Sequence, residues 1–273
     1  MKVAIQGIKG SNHHIVAEHY FKEHVSLEEC LSFDRLVDVL IEGKSDIGIM
    51  ALENTIAGSI IPNYALIDAN NLHIVGEYYL NIHHHLMGLE NQNLSDIQEV
   101  LSHPMALLQC KEFFRNHKNI KLVEDVDTAA VAKRISEEQL KNVAAIAPKI
   151  AADIYRLKVI EDEIQTIKEN ATRFVIVQTK PSATKNKEIN KATIKFQLDH
   201  KRGSLAAILN VLSDCKMSLT KIQSLPVIKT PWKYAFFVDV TFDTLQQYEK
   251  AIAIITIMAE EFKVLGTYKS GRE

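Results

Sequence analysis

Residues 181–190 divide this chain into two stretches of different grammar. The segment is short, polar and lysine-rich, contains Pro181 and shows no apolar periodicity, so it reads as a linker. Before it, apolar runs suited to buried strands alternate with runs suited to amphipathic helices. That alternation predicts an α/β architecture. After it, the patterns follow the order βαββαβ, which predicts a ferredoxin-like unit over 191–273. A length of 273 residues suits two domains better than one.

In the first stretch, residues 2–6 alternate toward a short strand and Gly7 to Ser11 form a turn into a helix over about 12–24. Ser32 is a good cap for a helix over 33–42, closed by Gly43. Residues 46–52 read as a strand, 60–68 as a helix with Pro62 in its first turn, and 72–80 as an extended crossing. Pro104 fits the first turn of another helix, and Asp127 or Thr128 caps the next, through about Ile135. Residues 143–147 are a strand, 148–157 a helix and 174–177 a buried strand. Beyond the linker come a strand at 192–199, a helix from Gly203 to about Cys215, a hairpin over 217–227 and 232–242, a helix over 245–260 and a strand over 262–268.

Composition excludes several classes. Net charge is -2, so nothing builds a basic surface for nucleic acid or an anionic membrane. The opening apolar run is too short for a signal peptide, and no stretch approaches the ~20 apolar residues of a membrane span. Cys30, Cys110 and Cys215 form neither a disulfide framework nor CxxC spacing, so the expected compartment is a reducing cytoplasm.

Candidate chemistry centres on Asn170-Ala171-Thr172-Arg173-Phe174. A polar group with one fixed positive charge leads into the strand Phe174 to Val177, which would hold Thr172 and Arg173 rigidly at its mouth. A guanidinium fork beside a hydroxyl suits a small carboxylate, although an Arg can also simply cap a strand end. A second polar cluster, Glu53-Asn54-Thr55-Ile56-Ala57-Gly58-Ser59, follows a strand end, where open α/β sheets keep their ligands. Ser102 and His103 precede a helix N-terminus, and there an anion site and a plain Ser102 cap are equally good readings. In His83-His84-His85, alternation puts His83 and His85 on one face and His84 on the other. No third ligand completes a metal site, and no metal is expected.

These motifs resemble the prephenate dehydratase family. Thr172-Arg173-Phe174 resembles its TRF signature. Gly7 to His14, Leu52 to Ser59, Ser102-His103-Pro104 with Ala106, Leu107, Gln109 and Cys110, and Ala144 to Tyr155 resemble further family segments in the family's order. Gly203-Ser204-Leu205 and Trp232 to Asp239 look like the ACT domain the family carries. The resemblance implies a two-lobed catalytic domain of the type II periplasmic-binding-protein kind over 1–180, with lobe one at 1–78 and 165–180 and lobe two at 79–164. It implies a ferredoxin-like ACT domain over 191–273. The implied reaction is loss of water and carbon dioxide from prephenate to give phenylpyruvate, without a cofactor; arogenate dehydration and a non-catalytic aromatic amino-acid sensor are the alternatives. The chain begins directly with the first strand, so the chorismate mutase activity of bifunctional members is not expected.

Carried over residue by residue, Thr172 is the implied catalytic group. Glu53 is a candidate proton source or a structural carboxylate. Arg173, Asn54, Thr55, Gly58, Ser59, Ser102, His103, Asn170 and Phe174 are the implied substrate-binding set. Gly203, Ser204, Leu205, Gln223 and Ser224 are the implied site for the effector L-phenylalanine. Asn12, His13, Thr55 and Met105 depart from the family pattern around the cleft. In the ACT part, Gln223-Ser224-Leu225-Pro226 stands where the family has Glu-Ser-Arg-Pro. A ferredoxin-like unit of this size leaves sheet surface to cover, which predicts a homodimer or homotetramer through 191–273.

Overall fold

The computed structural model describes residues 1–22, 25–181, 188–199, 201–227 and 230–272. His24, the expected end of the first helix, and most of the expected linker, at 182–187, lie outside the described residues.

The chain opens with β1 (Lys2–Gln6), α1 (Asn12–Phe21), β2 (Ser26–Cys30), α2 (Phe33–Ile41), β3 (Ile47–Asn54), β4 (Gly58–Ser59), α3 (Ile61–Ala69) and β5 (His73–Asn81). It continues with β6 (His85–Gly88), β7 (Glu99–Ser102), α4 (Pro104–Gln109), α5 (Lys111–Phe114), β8 (Lys121–Glu124), α6 (Thr128–Glu138), β9 (Val143–Ala147), α7 (Lys149–Tyr155) and β10 (Lys158–Glu161). It ends with β11 (Ala171–Gln178), β12 (Lys191–Gln197), α8 (Ser204–Asp214), β13 (Ser218–Pro226), β14 (Tyr234–Thr241), α9 (Leu245–Met258) and β15 (Glu261–Tyr268).

Ser32 and Asp127 cap their helices as the sequence announces, accepting from the Arg35 and Ala130 N–H groups, and Ser11, read only as the end of a turn, accepts from the His14 N–H; each satisfies a donor the helix leaves open. One sheet runs β2-β1-β3-β11-β5, with β4 beside β3; a second runs β10-β6-β9-β7-β8. β1 is parallel to β2 and β3, and β7 is parallel to β8 and β9, as a strand–helix alternation requires. Five strands are not expected from sequence: β2, the two-residue β4, β7, β8 and β10. Three of them, β2, β8 and β10, lie at sheet edges, where one side needs no apolar cover and the residues stay polar or half-exposed.

The molecule forms two compact units, one of residues 1–58 with 79–174 and the other of 59–78 with 175–273. The first unit holds the second sheet entire and buries Leu86, Val100, Ala144 and Ile146 against Leu107 of α4, Phe114 of α5 and Cys110 between them.

The second unit contains the expected βαββαβ module, with sheet order β13-β14-β12-β15. β12 alternates in the strand period. Ala192, Ile194 and Phe196 pack with Ile208, Leu212, Ala251 and Ile255 from α8 and α9. Lys191, Thr193, Lys195 and Gln197 point to the other face, yet they too are buried. Residues 59–78 of the same unit meet that polar face. Lys191 Nζ lies 2.8 Å from Glu77 Oε2, Lys195 Nζ 2.7 Å from Asp68 Oδ2, and the Tyr64 and Phe237 rings meet at 5.5 Å. At Gly266 a side chain would stand 2.0 Å from the Ile74 carbonyl oxygen, so only glycine admits this approach. The sheet surface that predicts a second copy is therefore met, on this face, by the chain itself.

Candidate active site

The site is built where β3 ends and β11 begins. Thr172, Arg173 and Phe174 are buried on β11, and Asn54, the last residue of β3, is buried beside them. The Asn54 side-chain oxygen accepts from the backbone N–H groups of Ile56 at 3.0 Å and Ala57 at 2.8 Å. Two donors on that atom fix which end of the amide is oxygen. The amide nitrogen must then face the other way, and there it finds Asn170 Oδ1 at 2.7 Å, Thr172 Oγ1 at 3.0 Å and the Ala171 carbonyl at 3.3 Å. Thr55 locks the junction: its N–H donates to the Ala171 carbonyl at 2.9 Å, and its hydroxyl accepts from the Ala171 N–H at 3.0 Å.

The network continues inward. Asn170, fully buried, donates to Gln109 Oε1 at 2.9 Å, and His84 Nε2 lies 2.8 Å from the same oxygen. The Gln165 side chain accepts from the His84 N–H at 2.9 Å. The sequence does not single out Gln109, His84 or Gln165 as site residues. They stand 25 or more positions from their partners in this network, and only Gln109 carries a signal, by its place in the segment after Pro104.

The chemical consequence is specific. Among the described residues, the one hydrogen bond of the Thr172 hydroxyl is the one it accepts from Asn54. Its proton is therefore available for donation to a bound molecule.

Other expected site residues stand apart from this cluster. The Ser102 hydroxyl is fully buried and donates to the Ile146 carbonyl at 2.7 Å, so it does not cap α4; His103 takes that position, its Nδ1 accepting from the Met105 N–H at 3.2 Å. Glu53 is half-buried and Gly58 exposed. Ser59 accepts from Lys221 Nζ at 2.8 Å within the second unit. His13 is buried with its ring edge-to-face on Phe174 at 4.9 Å, and burial pushes its pKa down to about 3. Its Nε2 has no partner among the described residues. His83 and His85, expected on one face, pair with Glu163 at 3.1 Å and Asp162 at 2.9 Å.

In the second unit, Gly203 takes φ +87° immediately before α8. Ser204 Oγ lies 2.5 Å from Asp199 Oδ1. A cavity of about 420 Å³ is lined there by Asp199, Lys201, Arg202, Gly203, Leu205 and Tyr234, among others. Gln223 and Ser224 lie on β13, opposite Phe237 and Phe236.

The prephenate dehydratase family model matches residues 3–182. A relative from Arabidopsis thaliana, described as arogenate dehydratase/prephenate dehydratase 2, chloroplastic, is 32% identical over 98% of this chain and 72% of its own length. Among solved structures, the prephenate dehydratase from Arthrobacter aurescens in complex with L-Phe superimposes with a TM-score of 0.88 at 21% identity, covering 99% of this chain and 90% of that one. GqqA, described as a novel type of quorum quenching acylase, does so at 0.87 and 22% identity, covering 100% and 99%. The fold is thus shared by proteins described with different activities, whereas the sequence model is specific. The chain belongs to the prephenate dehydratase family.

Proposed function

We propose that the protein converts prephenate to phenylpyruvate, water and carbon dioxide in phenylalanine biosynthesis. The observation that carries this reading is the Thr172 hydroxyl, held by Asn54 as an acceptor with its proton left to give. In prephenate the ring hydroxyl must leave and the ring carboxylate must depart. The electrons of the breaking carbon–carbon bond enter the ring, which becomes aromatic, and the departing oxygen takes up one proton to become water. Thr172 donates the hydrogen bond that carries this proton; a Thr hydroxyl is a poor acid, so it relays rather than ionises. Glu53 is our candidate for the proton's source.

Arg173 belongs with the pyruvyl carboxylate. That group keeps its charge throughout, whereas a guanidinium on the ring carboxylate would stabilise the ground state more than the transition state. Thr55, Asn54 and Asn170 shape the site through the junction they form with β11, and Phe174 backs it. Ser102, His103, Gly58 and Ser59 remain in the proposed substrate-binding set by family resemblance.

The proposed organisation is a dehydratase part at 1–180 and a regulatory part at 191–273. Phenylalanine would bind the 420 Å³ cavity at Gly203, Ser204 and Leu205, where N–H groups opening α8 face a carboxylate. Support comes from the relative solved with L-Phe. A cytoplasmic homo-oligomer joined through 191–273 completes the reading. Incubating purified protein with prephenate and following phenylpyruvate tests it. Turnover of arogenate alone would move the substrate to the amino analogue, and turnover of neither would leave a sensor.

A further inference from the structure

The hydrogen bonds leading away from Thr172 have a direction at every step, and that direction can be derived. Two backbone N–H groups fix the Asn54 oxygen, so its nitrogen donates to Asn170 Oδ1. With its oxygen accepting, Asn170 must present its nitrogen to Gln109, whose contacting atom is therefore oxygen. That oxygen already accepts from Asn170, so His84 Nε2 at 2.8 Å must be protonated and donate. The neutral ring then carries a bare Nδ1, which is buried and has no partner among the described residues. Burial also holds His84 below its ordinary pKa, against the opposing pull of its bond to Gln109.

We propose that His84 is a positioning residue for Thr172: through Gln109 and Asn170 it holds in place the Asn54 amide, which keeps the threonine hydroxyl an acceptor from within and a donor toward the substrate. The chain consists of amides, which hold direction but do not pass protons, so its task is orientation. A guest at position 84 that accepts instead of donating would face Gln109 Oε1 with a lone pair. The Gln109 amide would turn and Asn170 would lose its acceptor; Asn54 would keep its direction through the Ile56 and Ala57 N–H groups but lose the Asn170 oxygen that holds its nitrogen in place beside Thr172. The titratable neighbours of the ring are His83 and His85, which oppose its charging and are themselves paired with Glu163 and Asp162. No carboxylate contacts His84 itself among the described residues, and its bond to Gln109, which favours the charged ring, is outweighed by burial.

This inference rests on the dehydratase reading, and the experiment separates the two. Wild type, His84→Gln and His84→Leu are assayed with prephenate and with arogenate, and their melting temperatures are recorded. Gln keeps an N–H donor; Leu keeps only bulk. The expected result is a kcat about tenfold or more lower for His84→Leu with KM within a few fold, and recovery of most of kcat by His84→Gln. That split follows because an orienting hydrogen bond counts chiefly in the transition state. Wild type is also examined by ¹⁵N NMR with labelled histidine, which needs no variant to fold. The expected signal for His84 is the neutral Nε2–H tautomer at neutral pH, with protonation only below the ordinary histidine range. A working wild type in which His84→Leu matches it in kcat, or Gln fares no better than Leu, or His84 carries its proton on Nδ1, overturns the positioning role while leaving the dehydratase reading intact. A wild type inactive on both acids ends both.

Discussion

Lys191 and Glu77 form a buried ion pair in the second unit, with Nζ 2.8 Å from Oε2 and 2.9 Å from Oε1. Glu77 Oε1 also accepts from the Gly271 N–H at 3.0 Å. Burial makes the pair asymmetric in its effects: removing one charge strands the other. Lys191→Met should therefore cost about 3–5 kcal/mol in urea denaturation. Adding Glu77→Leu should recover much of the loss, because no lone charge then remains. A single variant within about 0.5 kcal/mol of wild type would show that water reaches the pair.

His13 gives stability a pH dependence whose sign follows from its burial. Its folded pKa, about 3, lies below the ordinary value near 6.5. The unfolded chain therefore takes up the proton first. The site's contribution is complete above about pH 6.5 and is lost as pH falls toward 3, by about 1.4 kcal/mol per pH unit within that window. Phe in its place keeps the ring packing on Phe174 and Phe33 and removes the titrating nitrogen. Between about pH 7 and pH 5, His13→Phe should lose roughly 2 kcal/mol less unfolding free energy than wild type. Parallel curves for the two proteins would show that His13 takes up its proton as readily in the folded protein as in the unfolded chain.

Gly203 offers a way to test phenylalanine control without shortening the chain. Truncation near residue 180 would strip the cover from Tyr64, Asp68 and Glu77, so the shortened protein would confound regulation with folding. At φ +87° a β-branched residue is strained, so Gly203→Val should shift the start of α8 and the N–H groups beside the cavity. Phenylalanine should inhibit wild type and lose most of its effect on Gly203→Val, with activity in its absence unchanged. Inhibition undiminished in the variant would place the effector elsewhere.

Arg173 is buried on β11, where its reach is set by the strand. Arg173→Lys keeps the charge but not the planar fork. Its KM for prephenate should rise about tenfold or more, in line with losing a charge-assisted bond of about 1.5–3 kcal/mol. A KM within twofold of wild type would remove Arg173 from carboxylate binding.

The elements that position the site are legible where local pattern and burial agree. Phe174 to Val177 reads as a buried strand and forms the core of β11; Ser32 and Gly43 bracket α2 as capping chemistry dictates. Two kinds of feature are not legible. Edge strands such as β2, with the sequence Ser26-Leu27-Glu28-Glu29-Cys30, carry too few apolar residues to declare themselves. Contacts between distant polar residues leave no local trace. Lys191 and Lys195 look like the solvent side of a strand until Glu77 and Asp68 are found opposite them. In the same way, Asn170 reads as part of a binding motif, and only the fold shows both ends of its amide spent on Asn54 and Gln109.

The most direct measurement is a steady-state comparison of wild type, Thr172→Ala and Thr172→Ser acting on prephenate. Thr172 carries the buried hydroxyl of the network, and among the described residues its proton is left for a bound molecule. The expected result is phenylpyruvate formation by wild type, a kcat about 10²–10⁴-fold lower for Thr172→Ala with a smaller change in KM, and substantial activity in Thr172→Ser. An alanine variant within a few fold of wild type would remove Thr172 from the reaction.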